Sequence, residues 1–277
     1  MQQTPRYGAD PVIVLDGSPA DVLEPVARQR RRLAAVVSSF TDEQWARPSR
    51  CAGWSNRDVI AHLDTTNGFW VFSIASGLRG EPSRLLLGFD PAATPAQLVA
   101  ASDGVPTGQV LEQFLASTDA LLDVLTSLDD AGWSTLAETP AGHLSVSAVA
   151  HHALWDSWVH ERDILLPLGD TPDEEADEIA ASIRYVAALS PAMVLNRGAA
   201  QRGAFAIHVT DPDLQVVVDV GDEVLVRSGE ADVELTLTGD AVALLEALSV
   251  RAPLDQPVPP AASWMVSGLA EAFAAEP

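Results

Sequence analysis

Near residue 200 the hydrophobic period of this chain changes, and that change limits its architecture more than any other feature. From about 19 to 195, long segments rich in Ala, Leu and Val follow a helical spacing and are separated by Pro, Gly and Asp clusters. The spacing predicts helices near 19 to 39, 56 to 78, 107 to 128, 145 to 166 and 173 to 194. Ser55, with Asp58 three residues on, gives the second of these a capping-box start. Residues 79 to 106, rich in Gly, Pro and Ser, read as a loop over one end of a helical bundle, with room for a short helix. After "NRGAAQRG" (196 to 203) the segments "AFAIHVT", "LQVVVDV", "EVLVRSG" and "VELTLTG" are strand-like, and Gly221-Asp222 reads as a two-residue hairpin turn. Val233, Leu235 and Leu237 alternate with Glu234, Thr236 and Thr238, the pattern of a sheet with one wet face. Helices near 240 to 249 and 261 to 274 would cover the dry face. The expectation is a mostly α bundle over 1 to 198 and a small α+β domain with an antiparallel sheet over 199 to 277, in keeping with a length of 277 residues.

Composition narrows the chemistry. A net charge of −23 opposes binding to a nucleic-acid backbone or an anionic membrane surface. The one basic cluster, "RQRRR" (28 to 32), reads as the solvated side of the first helix, opposite Val22, Leu23, Val26, Leu33 and Val37. All sixteen basic residues are arginine, which excludes Schiff-base chemistry, an internal lysine for pyridoxal phosphate and the lysine of a phosphate loop. Neither a glycine-rich dinucleotide fingerprint nor a G-x-S-x-G elbow is present. No apolar run approaches the roughly 20 residues of a membrane helix. The opening stretch lacks a basic region followed by a long apolar segment, so no secretion signal is expected. The single cysteine, Cys51, cannot form an internal disulfide and fits a reducing cytoplasm.

The densest cluster of ionisable groups in an apolar context lies in the fourth predicted helix, at "WDSWVHERD" (155 to 163). At 100° per residue, His152, Val149, Ala153, Val159, His160 and Asp163 fall within about 60° of Asp156, whereas His151, Trp158 and Glu161 lie elsewhere. Both faces are substantially apolar, so the helix is expected to be internal, and a buried Asp and His must be paired or metal-bound. A D-x-x-x-H pair projects two ligands from successive turns, as H-x-x-x-H does for zinc. His62, in "DVIAHLDTTNGFW", is the best third candidate. By spacing alone the metal signal is weak, since an acid and a histidine four residues apart are more often a surface ion pair or a core hydrogen bond.

The stretches "WARPSRCAGWSNRDVIAHL" (45 to 63) and "WDSWVHERDILLPLG" (155 to 169) resemble the metal-binding domain of the mycothiol-dependent maleylpyruvate isomerases, within the DinB-like superfamily of metal-binding four-helix bundles. The tail "ADVELTLTGDAVALLEALSVR" resembles the same family's C-terminal domain, which is related in shape to sterol carrier domains. The resemblance implies zinc, or another divalent metal, held by His62, Asp156 and His160, with mycothiol as cosubstrate. The isomerase commonly has Glu where this chain has Asp156, which leaves the metal in place but opens the question of the reaction. An arginine near position 251 faces the active site in the family. Arg251 can therefore pair with a substrate carboxylate, or else be a surface arginine complementing a helix C-terminus.

Three readings of His152 stay open: a fourth ligand, a general base, or a core histidine. Asp58 is explained by capping, and Asp163 and Glu161 by roles beside the ligands or at the surface. His143, in a turn, and His208, in a strand, are not expected to be ligands. Cys51 precedes a helix N-terminus and could be a nucleophile, although free cysteines are more often inert. Trp54, Phe69, Trp70, Trp155 and Trp158 are expected to be core, with one or two walling a pocket.

The resulting expectation is a cytoplasmic metal enzyme acting on a small electrophile with a low-molecular-weight thiol, as an isomerase or an S-transferase. A zinc-water hydrolase with His152 as base, and a non-enzymatic protein binding metal or an apolar ligand, are the alternatives.

Overall fold

The computed structural model of the protein describes residues 3–198 and 201–274. Four of the predicted helices become the walls of the bundle: α1 (Leu23–Ser38), α3 (Asn56–Leu78), α5 (Thr107–Thr126) and α7 (Val146–Leu165), with the five-residue α2 (Asp42–Ala46) between the first two. They pack in a ring in which α1 meets α5 and α7, and α3 meets the same two. The Ser55 start signal is realised in full. The Ser55 side chain accepts from the Asp58 backbone N–H, and the Asp58 carboxylate accepts from the Ser55 N–H. The segment after α3 does hold a short helix, α4 (Ala93–Ala100).

Between α5 and α7 the chain makes a turn of helix, α6 (Asp130–Ser134), and a hairpin of β2 (Leu136–Thr139) and β3 (Gly142–Ser145) that periodicity did not reveal. Glu138 explains the hairpin's position. Its fully buried carboxylate accepts from the Tyr7 hydroxyl, the Ser83 hydroxyl and the backbone N–H groups of Leu85 and Leu86, so it ties the loop after α3 to the bundle.

The helix α8 (Ala176–Asn196) is long and apolar enough to cross a membrane, but 89% of its apolar window is buried inside the protein. It lies against α7 on one side and against the C-terminal elements on the other. Those elements are β4 (Gly203–Thr210), β5 (Leu214–Val220), β6 (Val224–Ser228), β7 (Thr236–Asp240), α9 (Ala241–Leu248) and α10 (Trp264–Phe273). At the crossing of α8 and α10, a Cβ on Gly268 would stand 2.1 Å from the Ser190 carbonyl oxygen, so only glycine allows this approach.

With a further strand, β1 (Ile13–Leu15), the sheet has the order β1-β6-β5-β4-β7. Its centre is antiparallel, as expected, but each edge is parallel: β7 beside β4, and β1, from the chain's start, beside β6. The sheet is therefore mixed. Leu235 and Leu237 are buried while Glu234, Thr236 and Thr238 are exposed, which is the predicted alternation. Val220 pairs directly with Val224, so the hairpin loop is three residues, Gly221 to Glu223, closed by the Gly221 N–H to the Glu223 carbonyl. The expected two-residue turn is corrected by that register.

A further correction concerns "RQRRR". Gln29 and Arg30 are fully buried, and Arg32 bridges two buried carboxylates, Glu161 on α7 and Glu178 on α8, at 2.8 Å each. Arg28 joins Glu178 and Asp177. The stripe faces a buried layer of acid on α7 and α8, a partner that no reading of α1 alone can supply.

Candidate metal centre

The α3 capping box fixes where that helix starts, and His62 follows two turns later on the side facing α7. There Asp156 and His160 project from successive turns. His62 Nε2 lies 3.8 Å from Asp156 Oδ2 and His160 Nε2 lies 3.5 Å from Asp156 Oδ1, with side-chain exposures of 12%, 14% and 9% for His62, Asp156 and His160. The three donor atoms all lie within 4.8 Å of one another. Ligands about 2 Å from a tetrahedral zinc lie roughly 3.3 Å apart, so small side-chain shifts would close this set on an ion.

One atom argues that the set is built for an ion. Asp156 Oδ2 is buried and has no hydrogen-bond partner among the described residues, and His62 Nε2, at 3.8 Å, is beyond bonding distance. A carboxylate oxygen left in that state costs free energy unless a cation occupies the space it faces. The donor set, two imidazoles and one carboxylate, is that of a three-ligand zinc-type site.

Surrounding groups fix the orientation of His160. Its Nδ1 lies 3.0 Å from Asp163 Oδ2, which leaves Nε2 to face Asp156. Asp163 is fully buried, and Arg251 grips it through Nε at 2.9 Å and Nη2 at 2.8 Å. Burial would raise the Asp163 carboxyl, yet His160 and Arg251 hold it well below the usual carboxylate range. At His160 burial works downward, and the Asp156 charge, the Asp163 bond and Cys51 together carry it up to about 10. Asp156 behaves as Asp163 does: burial opposes ionisation, and His160, His62 and His152 outweigh it. His62 is lowered by burial, with Asp156 opposing.

Arg251 thus reaches the centre, but through Asp163. It follows α9, whose end explains its aim. Val250 adopts φ 60°, and the N–H groups of Val250 and Arg251 close back on the carbonyls of Ala247 and Glu246. That is a Schellman turn with a β-branched residue where glycine is usual. Glu246 in turn holds Arg50 and Arg162, tying α9 to the bundle.

The other candidates fall as follows. His152 is buried, with Nδ1 2.6 Å from the Tyr185 hydroxyl. His151 faces away and bonds the Ser147 carbonyl through Nδ1, beside a separate cavity of about 530 Å³ that none of the three candidate ligands lines. Asp58 caps α3, and Glu161 pairs with Arg32. His143 is not in a turn but in β3, buried between the Gly8 and Ser83 carbonyls, and His208 is in β4, half exposed. Cys51 lies 3.2 Å from Asp163 and 3.6 Å from His160 Nδ1. It could complete a second group of three with them, but that group spends two of its members on their own hydrogen bond. Trp70, Trp155 and Trp158 are buried, and the Trp54 ring stands 5.4 Å from that of His62. Tyr185 and Arg50 were not singled out by the sequence. Neither belongs to a local pattern, since each acts across to another helix.

The family profile described as the mycothiol maleylpyruvate isomerase N-terminal domain matches residues 26–165. No curated protein sequence matches the chain. Among solved structures, the crystal structures of the mycothiol-dependent maleylpyruvate isomerase and of a mutant of it each superpose with a TM-score of 0.58 at 14% identity. The match covers 87% of this chain and 96% of theirs, and at that identity it is a likeness of fold. With a profile match spanning half of its residues, and both candidate ligand helices inside the matched segment, the chain belongs to the mycothiol maleylpyruvate isomerase N-terminal domain family.

Proposed function

We propose that the protein is a metal-dependent enzyme that uses a low-molecular-weight thiol, mycothiol, on a small electrophile, by the reversible addition that interconverts cis and trans double bonds conjugated with a carbonyl. The observation that carries this reading is the cluster of His62, Asp156 and His160 with its partnerless Asp156 Oδ2. A divalent ion such as zinc, held by those three residues, would favour a thiol in its ionised form and so supply the nucleophile. The chain's own residues do the positioning. Asp163 holds the His160 ring so that Nε2 faces Asp156, Arg251 holds Asp163, and the Trp54 ring stands beside that of His62. Arg251 Nη1 has no partner among the described residues and remains available to a substrate carboxylate. The helical bundle and the C-terminal α+β unit are taken as two domains, with Arg251 the contribution of the second to the centre of the first. A single, partly buried free cysteine and a thiol cosubstrate both suit a reducing cytoplasm.

The test is metal analysis of the purified protein joined to an isomerisation assay on maleylpyruvate with and without mycothiol. The expected result is about one ion per chain, mycothiol-dependent formation of the trans isomer, and loss of both in Asp156→Ala. Turnover that proceeds without thiol, or a protein with no metal affinity sensitive to His62→Ala or His160→Ala, overturns the reading. An adduct that keeps the thiol would assign S-transfer instead of isomerisation.

A further inference from the structure

His152 lies one turn before Asp156 on α7, and its two ring nitrogens meet different surroundings. Nδ1 faces the Tyr185 hydroxyl on α8 at 2.6 Å, and that is the only polar contact of the hydroxyl among the described residues. Tyr185 is 0% exposed, and burial, with the charge of Asp156 behind it, raises its ionisation well above the ordinary 10, so the hydroxyl keeps its proton. A buried O–H must find an acceptor, and the one acceptor in reach is His152 Nδ1. Nδ1 therefore offers its lone pair, and the ring hydrogen sits on Nε2. Burial also lowers the His152 pKa to about 4 against the pull of Asp156, which keeps the ring neutral.

The Nε2–H has no hydrogen-bond partner among the described residues, and unlike the fully enclosed Trp70 N–H it keeps some accessible surface, His152 being 7% exposed. His152 stands one turn before Asp156 and two turns before His160 on α7, so helical geometry places its ring on the side of the helix that carries the two candidate ligands. Beside it, with ring centroids 4.7 Å apart, Trp70 has an indole N–H that also lacks an acceptor. Two ring N–H donors, one on α7 and one on α3, thus stand side by side.

We propose that His152 is a catalytic hydrogen-bond donor, whose Nε2–H, held in that tautomer by Tyr185, stabilises the substrate's carbonyl oxygen as it becomes an enolate. The proposal rests on the thiol-addition reading above and removes the general-base reading of His152. In the addition, a sulfur lone pair forms the C–S bond while the C=C pair moves through the conjugated system onto oxygen. Rotation about the resulting single bond is followed by return of the pair and departure of the thiolate, so no net proton is consumed. A neutral imidazole N–H suits this sequence, because it stabilises the oxyanion without surrendering its proton. A stronger acid there would transfer its proton to the enolate oxygen and give an enol, whereas the imidazole N–H only donates a hydrogen bond and leaves the electron pair free to return and expel the thiolate.

The experiment uses the zinc-loaded protein with mycothiol and the cis substrate of the assay above, together with 15N spectra of its histidine rings. His152→Ala is expected to lower kcat about a hundredfold, with metal content and the KM for thiol within about twofold of wild type. His152→Gln, which keeps an N–H, is expected to recover part of the loss. Wild-type spectra are expected to show His152 protonated at Nε2 and bare at Nδ1, and Tyr185→Phe to mix the two tautomers and lower kcat without changing metal content. A thermal melt of each variant separates loss of fold from loss of function. An active wild type whose kcat survives His152→Ala, or a ring protonated at Nδ1, overturns the role of His152 alone. A wild type that binds no metal and turns over nothing with thiol overturns the underlying reading as well, whereas the ring spectra still report the tautomer.

Discussion

Asp163 is the residue on which the orientation of the centre depends, because it receives the ring hydrogen of His160, two guanidinium bonds from Arg251 and the Cys51 contact while being fully buried. Asp163→Asn keeps the shape but removes the charge that orients His160. Metal affinity is expected to fall about 10- to 100-fold, measured by competition with a chromophoric chelator. On the opposite face of the same helix, His151 makes a prediction about stability. Burial lowers it from 6.5 to about 4. Above pH 6.5 neither the folded nor the unfolded form carries the proton; as pH falls below 6.5 only the unfolded chain takes it up, so folding stability declines until about pH 4. The decline approaches about 1.4 kcal/mol per pH unit for this one residue. Urea melts between pH 7 and 4.5 are expected to show a smaller slope for His151→Gln than for wild type, and an unchanged slope would remove His151 as a source. The same-face relation of Asp156 and His160, and the removal of His151 from it, were legible from 100° steps. The tautomer of His152 was not, since Tyr185 sits 33 residues away on another helix.

At the scale of elements, the helices that carry ligands owe their limits to short-range chemistry. Ser55 and Asp58 start α3, and Ser145 caps α7 through the Ala148 N–H, so the start of α3 and both strongly periodic cores could be placed from sequence. The β2–β3 hairpin could not, because its strands are four residues each and are held by Glu138 and by packing on α3 rather than by alternation. The contact of α8 with α10 depends on Gly268 having no side chain. Gly268→Ala would drive a methyl into the Ser190 carbonyl and Val194. It is expected to cost about 1–3 kcal/mol of stability, read as a lower urea midpoint with the same m-value. A midpoint equal to wild type would mean that the two helices can separate without penalty. The parallel edge strand β1 belongs to the same class of features hidden from local patterning, since its three residues pair with a strand more than 200 positions later.

Across the whole molecule the larger of two apolar clusters runs from Val12 and Val26 through Trp70, Val149 and Tyr185 to Phe205, Val218, Leu245 and Leu269, while the smaller, with Leu33, Ile60 and Phe114, lies within the bundle. The two halves therefore share a core, with α8 as the common wall. Residues 201 to 277 expressed alone lack both β1 and α8, and they are expected to give a far-UV circular dichroism spectrum of an unfolded chain, whereas the full chain melts in one cooperative transition. A folded fragment would show that the sheet and its two helices suffice. The sequence by itself determined the change from helix to sheet near residue 200, the faces of the main helices and the spacing of the acid and histidine on α7. Each of these is a matter of local periodicity, and backbone geometry repeats within a few residues. Only the tertiary structure decided what those faces meet: that "RQRRR" is buried against Glu161 and Glu178, that Arg251 reaches His160 through Asp163, and that Asp156 keeps an oxygen without a partner. The physical reason is that pairing and desolvation depend on groups brought together from distant parts of the chain, and a one-dimensional pattern carries no record of that distance.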